Sequence, residues 1–132
     1  VDREQEDDRT MNDESVRSIV MTPEQIAALP RVPLGDLAGV ENTVLWTDGT
    51  SVTGMLSVRA GHQLGRHTHR THLHHMWVVD GEATIADRRV GPGAYITVPP
   101  GVEHDIDATT TDGVTVYYSY TQLPAQVPAQ GS

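Results

Sequence analysis

Five of the chain's seven histidines fall within His67-Thr68-His69-Arg70-Thr71-His72-Leu73-His74-His75. Neutral imidazole is the commonest ligand for zinc and also suits iron, copper and nickel, so the cluster raises metal chemistry first. It lies mid-chain between hydrophobic stretches with irregular spacing, which separates it from an affinity tag. His67 and His69 stand two apart and, on a strand, would project to one side. His74 follows a short loop, and His104 comes much later behind Pro99-Pro100-Gly101. A bare H-x-H pair is weak evidence; four imidazoles converging inside a small barrel would point to a metal.

The rest of the composition removes competing chemistries. There is no cysteine, which excludes disulfides, thiolate metal sites and cysteine nucleophiles. All nine basic residues are arginine, so Schiff-base chemistry on lysine is excluded too. A formal charge of −9 argues against nucleic acid or an anionic membrane as partner. No apolar run approaches a membrane span and no signal sequence opens the chain, so a cytoplasmic protein is expected.

Most of the elements that must position the histidines read as strands. At 132 residues the chain suits one domain. Residues 1–20 form an acidic, disordered arm on this reading, 21–123 the folded barrel and 124–132 a flexible tail rich in Pro, Gln and Ala. Thr22 to Leu29 reads as one short helix with Thr22 as N-cap, Pro23 in the first turn and Gln25 at the capping-box position, stopping before Pro30. Short runs rich in Val, Ile, Thr, Tyr and Trp follow: Asn42 to Trp46, Val52 to Arg59, His75 to Val79, Tyr95 to Val98 and Val114 to Thr121. Tight-turn residues such as Asp48-Gly49 and Asp80-Gly81 separate them, which predicts an antiparallel barrel or sandwich. In the last run Val114, Val116, Tyr118 and Tyr120 share one face.

Two segments resemble the paired motifs of the cupin superfamily. Gly61, five residues, His67-Thr68-His69, four residues, His74, six residues, Gly81 matches the first motif in spacing. Gly93, five residues, Pro99-Pro100-Gly101, two residues, His104 matches the second. The resemblance implies an all-β, single-domain cupin, a double-stranded β-helix or jelly-roll barrel, here with a short N-terminal helix. It also implies metal ligands at His67, His69, His74 and His104, and a homodimer, for which Leu34, Leu37, Val40 and Leu45 are candidate interface or core residues. The family usually carries Glu where this chain has His74, and Asn where it has Ala108. An all-imidazole set leaves a divalent ion its full charge and makes it a stronger Lewis acid.

The site is also similar to that of the small zinc cupin cyclases that fold aromatic polyketides, the resistomycin type, whose four histidines are joined by a glutamine. Gln63 is the candidate for that fifth ligand if a bulge at Gly65 turns it inward. This likeness implies Zn²⁺, with Fe²⁺, Ni²⁺, Cu²⁺ and Mn²⁺ as alternatives. It further implies an enzyme of antibiotic biosynthesis that closes rings in a poly-β-ketone by aldol addition and dehydration. His72, His75 and Tyr118 are the candidate proton-transfer groups; the bland reading makes the two histidines polar surface residues and Tyr118 a core or rim aromatic. Two alternatives stand beside the cyclase. One is a cupin dioxygenase acting on an enolisable diketone or flavonol-like substrate, and the other a non-catalytic cupin that senses a metal or small molecule.

Overall fold

A computed structural model describes residues 17–123; the expected arm through residue 16 and the tail from residue 124 lie outside the described residues. Helix α1 (Pro23–Ala27) opens the fold with the expected capping box, in which the Thr22 N–H donates to Gln25 Oε1 at 2.8 Å and the Gln25 N–H to Thr22 Oγ1 at 3.2 Å. Both bonds satisfy backbone or side-chain groups that a short helix leaves open at its start.

Nine strands follow: β1 (Val32–Pro33), β2 (Val40–Thr47), β3 (Val52–Arg59), β4 (His72–Gly81), β5 (Ala83–Ile85), β6 (Arg88–Val90), β7 (Tyr95–Val98), β8 (Ile106–Asp107) and β9 (Gly113–Gln122). They form a six-stranded sheet in the order β1-β2-β3-β9-β4-β7 and a three-stranded sheet in the order β6-β5-β8. Every ladder is antiparallel. The fold is a jelly roll, as expected. Its strands at 52–59 and 95–98 match the sequence reading, whereas β4 starts earlier, at His72, and takes in the end of the histidine cluster.

Strand alternation decides which side chains meet inside. Val40 on β2, Leu56 and Val58 on β3, Met76 and Val78 on β4, Ile96 and Val98 on β7, and Val114 and Val116 on β9 are buried from the large sheet. Ala83, Ile85 and Ile106 join them from the small sheet in one core cluster. Val40 is therefore core rather than a surface residue awaiting a partner. On the outer face of the large sheet, Met21, Pro23, Ile26 and Ala27 line one depression with Met55 and Tyr117, so α1 lies against β3 and β9. No helix among the described residues is long and apolar enough to cross a membrane.

Candidate metal centre

The core fills one end of the barrel, and the inward positions beyond it carry histidine, tyrosine and asparagine. His72 and His74 share the inward parity of Met76 and Val78 on β4, and Tyr118 and Tyr120 share that of Val114 and Val116 on β9. The register pairs His74 with Tyr120 and Met76 with Tyr118. His67 and His69 do not sit on a regular strand, contrary to the sequence expectation. His67 instead forms an isolated bridge with His104. That bridge places the two motifs of the sequence side by side.

Three imidazoles converge. The ligand nitrogens of His67, His69 and His104 all lie within 4.8 Å of one another. Ring centroids are 4.2 Å apart for His67 and His104, 4.9 Å for His67 and His69, and 5.3 Å for His69 and His104. His74 packs beside them, 5.5 Å from His69 and 5.6 Å from His104, but is not a member of the compact trio.

In all three members Nδ1 is already engaged. His67 Nδ1 meets the Gly65 carbonyl at 2.7 Å, His104 Nδ1 the Val102 carbonyl at 3.2 Å, and His69 Nδ1 the Tyr120 hydroxyl at 2.9 Å. A carbonyl only accepts, so His67 and His104 carry their proton on Nδ1 and expose a lone pair on Nε2. The Nε2 atoms of His69 and His104 are buried without a protein hydrogen-bond partner. Buried polar atoms are seldom left unpaired, and several aimed into one spot fit a cation. Burial, then the neighbouring imidazoles His67 and His104, lower the pKa of His69 to about 4. Burial and then His104 lower that of His74 to about 3, and burial lowers that of His104 as well. These rings are unprotonated at neutral pH, which is the state a metal ligand requires. The donor set fits a divalent ion held by His67, His69 and His104.

The remaining sequence candidates are distributed differently. Gln63 is exposed and is not brought to the trio. Gly65 has φ of +98°, a left-handed conformation open to glycine, and it resets the alternation. Leu64, not Gln63, thereby shares the interior with His67, packing against the core and lining the chamber described below. His75 faces the opposite side of β4 from His74, because adjacent strand residues must diverge. It lies in an outer groove with Trp77 and Tyr95, hydrogen-bonded to the Tyr95 hydroxyl. His72 has the inward parity, but its Nε2 contacts the Thr50 carbonyl at 2.6 Å and its Nδ1 the Thr71 hydroxyl at 3.0 Å. Both ring nitrogens are thus engaged with partners on other residues. Tyr118 does reach the interior, donating to Asn42 Oδ1 at 2.7 Å.

A chamber of about 460 Å³ opens above the imidazoles. Leu34, Leu37, Leu56 and Leu64 form its apolar wall, and His67, His69 and His74 line its floor. Asn42, Tyr118 and Tyr120 supply its polar points, and burial raises the pKa of both phenols, keeping them protonated. Arg66 also borders it, but its guanidinium is paired with Asp87 at 3.3 Å and Glu103 at 3.2 Å. Its size is that of an ordinary small-molecule site, apolar with a few placed polar groups. Asn42 and the leucines are chamber residues that sequence reasoning missed. Alternation on β2 and β3 signals only Asn42 and Leu56, whereas Leu34, Leu37 and Leu64 lie in connecting segments that carry no periodic signal.

Comparison with known proteins agrees with the fold. No curated protein matches the sequence. Among solved structures, a predicted oxalate decarboxylase from Thermotoga maritima superposes with a TM-score of 0.68 at 14% identity, covering 80% of this chain and 100% of that one. KdgF from Halomonas sp. gives 0.63 at 16% identity, covering 80% of this chain and 96% of that one. A chain from the complex of Rhodobacter sphaeroides SigE with the anti-sigma ChrR gives 0.60 at 21% identity, over 72% of this chain and 50% of that one. Likeness at this identity is likeness of fold. A family model, however, matches residues 20–124, the whole barrel, and on that match the chain belongs to the ChrR cupin-like domain family.

Proposed function

We propose that the protein is a metal-dependent cyclase that closes rings in a poly-β-ketone. The observation that carries this reading is a carboxylate-free trio, His67, His69 and His104, of which His67 and His69 line a leucine-walled chamber. A divalent ion there, zinc in this reading, would polarise a substrate carbonyl and stabilise negative charge as a neighbouring C–H is deprotonated. The chain's own residues do the rest. Leu34, Leu37, Leu56 and Leu64 exclude water and hold a flexible chain in few conformations, so that reacting carbons meet in one register. The Asn42–Tyr118 pair offers a neutral hydrogen-bonding point for a second substrate carbonyl. His74 stays uncharged and adds no repulsion to a cation. In the reaction one C–C bond forms between an α-carbon and a distal carbonyl carbon, and the resulting hydroxyl leaves with an adjacent hydrogen as water.

The direct test is zinc-loaded protein incubated with an aryl β-polyketone in D₂O. Protein-dependent exchange at the α-carbon and a product lighter by one water are expected. Oxygen uptake by iron-loaded protein would instead indicate the dioxygenase, and neither exchange nor uptake would overturn an enzymatic role. A second reading, a non-catalytic cupin that senses metal or a small ligand, is supported by the family match and by likeness to a chain of the SigE–ChrR complex. It predicts ligand binding in the same chamber with no turnover.

A further inference from the structure

We propose that Tyr120 is a positioning residue for the metal centre: its hydroxyl fixes the rotation and tautomer of His69, and His72 clamps Tyr120 in place. This rests on the metal-binding reading above. The three imidazoles of the trio are oriented in two different ways. His67 and His104 each direct Nδ1 to the carbonyl two residues upstream, Gly65 at 2.7 Å and Val102 at 3.2 Å, so the main chain itself sets their rings. The carbonyl two residues upstream of His69, that of His67, accepts instead from the His104 N–H. His69 Nδ1 meets a side chain, the Tyr120 hydroxyl at 2.9 Å, from the far strand β9.

A hydroxyl can donate or accept, so the contact admits two tautomers of His69. If Tyr120 donated, His69 would carry its proton on Nε2, which is buried and has no protein partner. That would leave an N–H donor unsatisfied and aimed at two other imidazoles. If Tyr120 accepts, the proton stays on Nδ1 and the Nε2 lone pair joins those of His67 and His104 around one point. The second arrangement is the one a cation favours, and it gives all three rings the same tautomer. It also leaves the phenol's own proton directed elsewhere, on a ring that lines the chamber.

The phenol is held in turn by His72. Their rings are stacked with centroids 4.0 Å apart and planes 3° from parallel. His72 is itself tied at both nitrogens, to the Thr50 carbonyl at 2.6 Å and the Thr71 hydroxyl at 3.0 Å. Thr50 belongs to the turn between β2 and β3, which the Asp48 carboxylate closes by accepting from the Thr50 and Ser51 N–H groups at 2.9 and 2.8 Å. A fixed turn thus holds His72, His72 holds the face of Tyr120, and Tyr120 holds His69. This accounts for a histidine that belongs to the cluster in sequence but not to the trio in space.

The test compares full-length wild type, Tyr120→Phe, His72→Ala and Tyr117→Phe. Tyr117 lies on the opposite face of β9 and controls for loss of a hydroxyl from that strand. Zinc affinity is measured by competition with a chromophoric chelator, and the visible spectrum of the Co²⁺ form reports ligand geometry independently of any activity. Tyr120→Phe is expected to lower zinc affinity about tenfold, in the range typical for loss of a group that orients a ligand, and to shift the Co²⁺ bands. His72→Ala should do the same to a smaller degree, and Tyr117→Phe should match wild type. Wild-type affinity and spectrum in Tyr120→Phe, or an equal loss in Tyr117→Phe, would overturn the proposal. Failure of the wild type to bind either ion would instead overturn the metal reading beneath it.

Discussion

His67 and His104 form an isolated antiparallel bridge: each backbone N–H donates to the other's carbonyl at 2.9 Å, and their rings stand 4.2 Å apart. Two residues far apart in the chain are thereby fixed to each other by main-chain bonds, independently of what their side chains hold. The site's geometry is set before any ligand arrives, which is how a binding centre avoids the entropic cost of ordering its own ligands.

That arrangement separates folding from metal binding. His67→Ala, His69→Ala and His104→Ala should each remain folded yet lose the thermal stabilisation that zinc gives the parent. At zinc one hundred times the dissociation constant that stabilisation is about 2.7 kcal/mol. His74→Ala should keep it, because His74 lies outside the compact trio. Thermal melts with and without zinc check both statements, and equal loss in all four variants would make His74 a fourth ligand.

Stability of the metal-free protein should fall on mild acidification. His69 and His74 titrate at about 4 and about 3 in the folded state, depressed by burial and then by neighbouring imidazoles, against about 6.5 when unfolded. Between those values the unfolded chain binds more protons, so the stabilisation is complete above about pH 6.5 and is lost as pH falls toward 4. Denaturant midpoints should be level from pH 7 to 8 and drop steadily from pH 6.5 to 4. A midpoint unchanged down to pH 5 would contradict the buried, uncharged cluster.

Much of this was readable from residue order, and the exceptions have specific causes. The capping box at Thr22 and Gln25, the face shared by Val114, Val116, Tyr118 and Tyr120, and the meeting of His67, His69 and His104 depend on local rules or on paired motifs of fixed spacing. Gln63 was misplaced because one left-handed glycine, Gly65, shifts the parity of everything before it. His75 faces the outer groove because His74 beside it on β4 faces inward. The contact of Tyr120 with His69 and the use of both His72 nitrogens involve distant strands and a turn, which spacing does not encode.

Gly54 makes room for the chamber's polar pair. A Cβ there would lie 2.6 Å from the Thr43 carbonyl oxygen and 2.8 Å from the Tyr118 hydroxyl. Gly54→Ala should cost about 1–3 kcal/mol, as overpacked cores do, and should displace Tyr118 from Asn42. A denaturation curve matching the parent would show that the strand accommodates the methyl group.

The β5–β6 hairpin carries avoidable strain. Ala86 and Asp87 both have positive φ, 51° and 70°, at the turn between paired residues Ile85 and Arg88. Ala86→Asn, a residue better suited to that conformation, should raise stability by up to about 1 kcal/mol without touching the site. Denaturant titration is sufficient to measure it, and a loss of stability would refute the turn geometry.

If His67, His69 and His104 hold one divalent ion, the metal content of the purified protein depends on those side chains. Elemental analysis of protein purified without tag or chelator, beside the His67→Ala/His104→Ala double variant, tests it most directly. About one equivalent of metal per chain is expected in the parent and a trace in the variant. No metal in a folded parent reconstituted with zinc, or equal metal in both proteins, would contradict it.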